Sequence, residues 1–114
     1  MIDELFSAID SKNVEKFVSL LADDCVFRFG NMPEVSGVNN ISEFVGGFFS
    51  SIAALKHELY ARWEVGNTEI CHGMVSYTRL NGSVLTVPFC NVLTSNDTGI
   101  CDYLIFADTS QLYA

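Results

Sequence analysis

A histidine on the inward side of a strand is the residue of this chain best suited to moving a proton. From position 57 one alternation runs His57, Leu59, Ala61, Trp63, Val65 and the other Glu58, Tyr60, Arg62, Glu64. The charged set belongs in solvent, which predicts His57 and Trp63 on the inside. Imidazole is the side chain whose ordinary pKa lies nearest neutrality, so an inward His57 is a candidate general acid or base. The competing reading is a core histidine bonded to a backbone carbonyl, with Trp63 as core filler rather than pocket wall.

Asp102 is the acid inside the otherwise apolar stretch Ile100–Ala107. Burial makes a carboxyl a weaker acid and a usable proton donor, whereas pairing with an arginine such as Arg79 would make it structural. Tyr77 and Tyr103 can offer a phenol to a ligand oxygen, or sit at an interface rim. Asn31, in the loop after the first strand, can line a pocket mouth. His72 falls mid-strand with no evident partner and suits a structural or interface role. Arg28, between Phe27 and Phe29, suits solvent or a carboxylate better than a substrate.

These residues need elements to hold them. Ile2, Leu5, Phe6 and Ile9 form a helical stripe, broken at Asp10-Ser11-Lys12-Asn13. Asn13 can cap a second helix with Val14, Phe17, Val18 and Leu21 on its buried side. Cys25–Phe29 reads as a strand. Asn40 with Glu43 resembles a capping box, and Ile41, Phe44, Val45, Phe48, Ile52 and Leu55 follow at helical spacing. Gly46-Gly47 lowers that helix's stability by roughly 1 kcal/mol per glycine. Thereafter the period is two, with strands predicted near 57–65, 69–79, 84–94 and 100–108. Asn81-Gly82 predicts a type I′ hairpin, and Pro88 an edge position or bulge. The last strand is apolar on both faces, so it must be covered on both, by its own core and by a second layer or subunit.

With 114 residues, nearly half of them apolar and nine of them Phe, the chain makes one domain over 1–114 with a large core. A net charge of −8 argues against nucleic acid and anionic membrane as partners. The acidic start Met1-Ile2-Asp3-Glu4 lacks a signal peptide's basic region, and no apolar stretch has membrane-spanning length, so a soluble cytoplasmic protein is expected. Cys25, Cys71, Cys90 and Cys101 form no C-x-x-C and no zinc spacing; they read as buried reduced thiols, and no metal is expected.

The ordered set of segments resembles the SnoaL-like, or nuclear transport factor 2-like, superfamily. It is carried by Leu20–Phe27, by Val35-Ser36-Gly37 before the third helix, by His57, by Tyr77–Gly82, and by Ile100–Asp108. The resemblance implies an α+β cone-shaped roll, with three N-terminal helices packed in a curved, mostly antiparallel sheet. It also implies a pocket at the wide end. Polyketide cyclases, ketosteroid isomerases and limonene epoxide hydrolases share that fold. Matched to ketosteroid isomerases, the general-base Asp falls on Phe29, the helix-borne Tyr on Leu5 and the protonated Asp on Asn91. Phe29 and Asn91 then become lining residues, the second a hydrogen-bonding one. The epoxide hydrolase Arg falls near Arg79 without its companion Asp, and the last-strand Asp falls on Ile105. The familiar catalytic sets are dismantled.

Two functions remain. One is a cofactor-free acid/base isomerase, cyclase or dehydratase for a small hydrophobic, polycyclic or terpenoid-like compound. It would use His57 and Asp102, with Phe29, Asn31, Trp63, Tyr77, Asn91 and Tyr103 around the ligand. The other is a non-catalytic hydrophobic-ligand-binding or accessory scaffold domain. Either is expected to form a homodimer through the sheet.

Overall fold

The computed structural model describes residues 1–113. Its elements run α1 (Ile2–Asp10), α2 (Val14–Ser19), β1 (Leu21–Phe29), β2 (Val35–Ser36), α3 (Val38–Ser50), β3 (Ile52–Val65), β4 (Thr68–Arg79), β5 (Val84–Asn96) and β6 (Gly99–Ala107). The strands form one sheet in the order β2-β1-β6-β5-β4-β3. All pairings are antiparallel except β1 with β6. Helix α3 packs on both β1 and β3, which lie far apart in that order. A sheet can reach one helix from two such strands only by curling around it, and this makes the inner face concave. Of the three helices, two precede the sheet and the third lies between β2 and β3. No helix among the described residues is long and apolar enough to cross a membrane.

Local chemistry sets the boundaries. The Asn13 side chain accepts from the Lys16 amide at 3.1 Å and caps α2 as expected. Asn40 does not cap α3: the helix begins two residues earlier, behind Gly37, and Asn40 bonds back to the Ser36 carbonyl. Ile52 and Leu55 leave the expected helical stripe for β3, and Leu21 leaves α2 for β1. Ile52 and Leu55 stay buried at a spacing of three because the register shifts between Ile52 and Ala54.

The β4–β5 turn is also not type I′. Gly82 has φ +89° while Asn81 keeps a negative φ, and the Gly82 amide bonds the Arg79 carbonyl at 2.9 Å. That is a three-residue loop closed by a glycine bulge. Pro88 sits in β5 just before its first partner in β6 (Phe89 opposite Ala107), so on that side β5 is an edge at Pro88.

The largest departure is in β3. Its register against β4 shifts between Leu59 and Ala61, inserting one residue. A slip of one swaps the faces of everything beyond it. His57 and Leu59 keep to the inner side, whereas Trp63 moves to the outer face, where it is 53% exposed. The expectation that Trp63 points inward is thereby corrected. Arg62 takes the inner parity, opposite buried Cys71, and pairs with Asp3 of α1 at 3.1 Å. The bulge presses on Gly73, where a Cβ would lie 1.8 Å from the Glu58 carbonyl oxygen. Only glycine leaves room there.

Candidate functional site

The concave face and the helices enclose a cavity of about 40 Å³, the space of a few water molecules. Its walls are mostly aromatic, with His57, Tyr77, Asn91 and Tyr103 as the polar members.

His57 is held by α1. That helix ends in a Schellman arrangement: Lys12 adopts φ +55°, its amide bonds the Ile9 carbonyl, and the Asn13 amide bonds the Ala8 carbonyl. The turn carries the Lys12 ammonium onto the carbonyls of Phe49 and Ile52, at 3.2 and 3.1 Å, tying α1 to the α3–β3 junction. Asp10, the last residue of α1, therefore faces the start of β3. Its carboxylate accepts from His57 twice, from Nδ1 at 2.7 Å and from the backbone N–H at 3.0 Å. The ring lies flat on Phe6, with centroids 4.6 Å apart, and edge-on to Phe89 at 5.0 Å.

A carboxylate only accepts, so Nδ1 carries a proton towards Asp10, and in the neutral tautomer the lone pair lies on Nε2. Nε2 has no protein partner among the described residues, and the ring lines the cavity. A base oriented by a carboxylate beside a space for substrate is the arrangement general-base chemistry requires.

Asp10 was the residue sequence reasoning missed, serving there only as a helix breaker. The signal lay in its spacing: it is four residues after Phe6, on the turn beside the buried stripe, and Phe6 and Asp10 both hold His57. Asp102 lies on the opposite parity of β6, paired with Val26 and Thr94, and does not line the cavity. Nor is it paired with Arg79, whose guanidinium bonds the carbonyls of Leu112 and Gln111 and the Ser83 hydroxyl.

The other expected ligand residues divide. Phe29, Tyr77, Asn91 and Tyr103 line the cavity. Asn31 lies instead in a shallow surface depression with Arg28 and Asp108, and Trp63 stacks on His72 outside the sheet.

Asn91 and Tyr103 share an unusual state. They are 2% and 0% exposed, and neither the Asn91 Oδ1 nor the Tyr103 hydroxyl has a hydrogen-bond partner. Leaving a buried polar atom unmet costs about 1–3 kcal/mol. The register makes them diagonal neighbours on the inner face, since Asn91 is opposite Ile105 and Tyr103 opposite Leu93. Burial pushes both the Tyr77 and the Tyr103 phenol well above the ordinary tyrosine range, so both remain O–H donors at neutral pH. Among the described residues no three His, Cys, Asp or Glu side chains gather as a metal-ligand set.

Together these elements define a cupped α+β fold. A SnoaL-like domain model matches residues 2–103, and the chain belongs to that family. Solved structures agree on the fold. An NTF2-like protein of unknown function from Burkholderia pseudomallei superposes with TM-score 0.87 at 17% identity, covering 97% of this chain and 90% of that one. TerC, co-crystallized with polyporic acid, gives 0.83 at 18%, covering 98% and 92%. An LEH-like epoxide hydrolase of M. tuberculosis gives 0.82 at 11%, covering 98% and 83%. No curated protein sequence matches the chain.

Proposed function

We propose that the protein is an acid/base enzyme for a small hydrophobic, polycyclic or terpenoid-like compound, an isomerase, cyclase or dehydratase in which His57 moves the proton. The observation that carries this is the bidentate Asp10–His57 pair, which leaves Nε2 of a cavity-lining ring without a partner among the described residues. Asp10 takes the positioning role. It fixes the ring and tautomer, and stabilises the imidazolium formed when Nε2 accepts a proton. The chemistry required is a proton taken from a carbon or hydroxyl and returned to another atom of the same molecule, which these side chains can perform unaided.

The spacing of two polar residues sets the length a substrate bridging them would need. His57 and Asn91 stand two strands apart across the sheet and four residues apart along it. That is roughly 10 Å by 13 Å along the backbone, so a molecule touching both polar ends has the length of fused rings. The likeness to TerC, crystallized with polyporic acid, and to an epoxide hydrolase is consistent with a small organic substrate.

The test is hydrogen–deuterium exchange at the α-carbon of bicyclic ketones such as 2-tetralone, followed by NMR in D₂O. Wild-type protein should accelerate wash-in, and His57→Gln should abolish the acceleration. Equal rates for the two proteins would remove the enzyme reading and leave a hydrophobic-ligand-binding domain, which the small apolar cavity also suits.

The outer sheet face supports a homodimer. Trp63, Tyr60 and Phe106 are each more than half exposed. Between them the face carries Met74, Cys90, Val92 and Leu104, flanked by Glu58, Arg28 and Asp102. An apolar patch rimmed by charges calls for a cover, and self-association about a two-fold axis supplies one from the same patch. Sedimentation equilibrium should give a dimer at micromolar concentration; a monomer throughout would overturn it.

A further inference from the structure

We infer that the cavity binds a molecule with an apolar ring body ending in a hydroxyl, and that Asn91 and Tyr103 together hold that hydroxyl. This rests on the reading of the cavity as the substrate site and names the chemical class it accepts.

The argument begins with the two unmet atoms. Asn91 Oδ1 needs a donor, and the Tyr103 hydroxyl is an unpaired donor and acceptor. A carbonyl or ether oxygen on a ligand satisfies only Tyr103. An ammonium satisfies only acceptors, and brings a charge into an aromatic enclosure. A hydroxyl donates to Asn91 and accepts from Tyr103, so one group answers both. The same chemistry rejects an analogue lacking it, because both protein atoms then stay buried and unpaired.

The second observation places the body of the molecule. Beside the cavity runs an apolar groove of about 230 Å³, and Phe29, Phe44 and Phe48 line both. A path of ring contacts leads from the unmet pair towards it: Tyr103 to Phe27 at 5.2 Å, then Phe27 to Phe44 at 5.8 Å. The groove is roofed by the C-terminal segment, with Leu112 buried and the Tyr113 hydroxyl 2.7 Å from Ser51 Oγ. The cavity is only about 40 Å³ and both unmet atoms are buried, so a ligand hydroxyl reaches them only if side chains give way. Phe48 lines both spaces, so it is the ring whose displacement would join them, and the apolar body would then lie along the phenylalanines with its hydroxyl at the inner end.

The experiment compares 2-naphthol with 2-methylnaphthalene, which replaces the hydroxyl by a methyl of similar size, using calorimetric or NMR titration. Wild-type protein should bind 2-naphthol at least about tenfold more tightly. Asn91→Leu and Tyr103→Phe should each reduce that preference to near unity while retaining 2-methylnaphthalene. Tyr103→Phe, which removes one oxygen, decides the matter if Asn91→Leu does not fold. Equal affinities, binding of neither compound, or a preference that survives in the folded variants would overturn the inference. A protein that discriminates the two compounds but catalyses no α-carbon exchange would refute the proposed enzyme and leave this site standing.

Discussion

The two histidines stand on opposite faces of one sheet, and each is stacked on an aromatic ring. His57 lies on Phe6, is fixed by the Asp10 carboxylate at 2.7 Å, and borders a cavity. His72 lies on Trp63, with centroids 5.6 Å apart and rings 9° from parallel, and has no hydrogen-bond partner among the described residues. Stacking alone therefore does not make a site. The inner histidine gains one because a helix end delivers a carboxylate to it, and a carboxylate decides which nitrogen keeps the lone pair. The outer one belongs to an apolar surface and is positioned by neighbours that could as well be covered by another subunit.

The sharpest way to break this contrast is to treat the two residues alike. On any compound the protein turns over, His57→Gln should lower the rate by about 10²–10⁴-fold, the usual worth of a positioned acid or base. His72→Gln should leave it unchanged. Asp10→Asn, which offers Nδ1 an amide in place of a carboxylate, should shift the rate in the same direction as His57→Gln. Steady-state kinetics on the three variants checks all of this, and a loss in His72→Gln would erase the distinction between the faces.

The next largest effect concerns what separates the faces. Gly73→Ala sets a methyl 1.8 Å from the Glu58 carbonyl oxygen, against backbone that cannot rotate away. The bulge must shift or unpair, at a cost of at least about 2 kcal/mol by urea denaturation. An unaltered midpoint would mean that the bulge does not depend on this glycine.

That bulge also marks where the sequence stopped being legible. Period two correctly placed His57 inside, because the register runs unbroken from Ala54 to Leu59. It failed for Trp63, beyond the shift between Leu59 and Ala61, since one inserted residue inverts every later side chain and leaves no mark in the alternation itself. The order of elements and the family were readable, because helical and strand periods change where the elements do. Asp10 was not: its bond to His57 joins positions 47 apart in the chain, and no local pattern encodes which helix end meets which strand. Tyr103 was legible as a phenol that could meet a ligand and Asn91 through the family resemblance, while their lack of partners is a property of the packed structure alone.

A smaller effect tests the outer face. Trp63→Ser with Phe106→Ser removes two of its most exposed large rings. If a second copy covers this face, the pair should raise the dimer dissociation constant by at least about tenfold, in line with aromatic anchors at other interfaces. The thermal stability of the monomer should barely move. Sedimentation equilibrium separates the two outcomes, and an unchanged constant would place any dimer contact elsewhere.

The smallest effect carries the comparison to the thiols. Cys25 and Cys71 are fully buried, whereas Cys90 and Cys101 are half-buried. Burial pushes the Cys25 thiol up to about 12, with the nearby Cys101, Asp102 and Asp24 adding to it. Burial likewise pushes Cys71 up to about 11. In the unfolded chain both ionise near the ordinary thiol value. The folded state thus holds protons that the unfolded state releases, so stability is fully present below about pH 9. It falls as pH rises from there through about 11 to 12, where the folded thiols themselves ionise. The buried tyrosines act in the same direction at still higher pH. Melting temperatures between pH 8 and 11 should decline more steeply for the wild-type protein than for Cys71→Ala, and iodoacetamide at pH 8 should modify Cys90 and Cys101 well before Cys25 and Cys71. Parallel declines, or uniform labelling, would mean that the inner face of the sheet is no drier than the outer one.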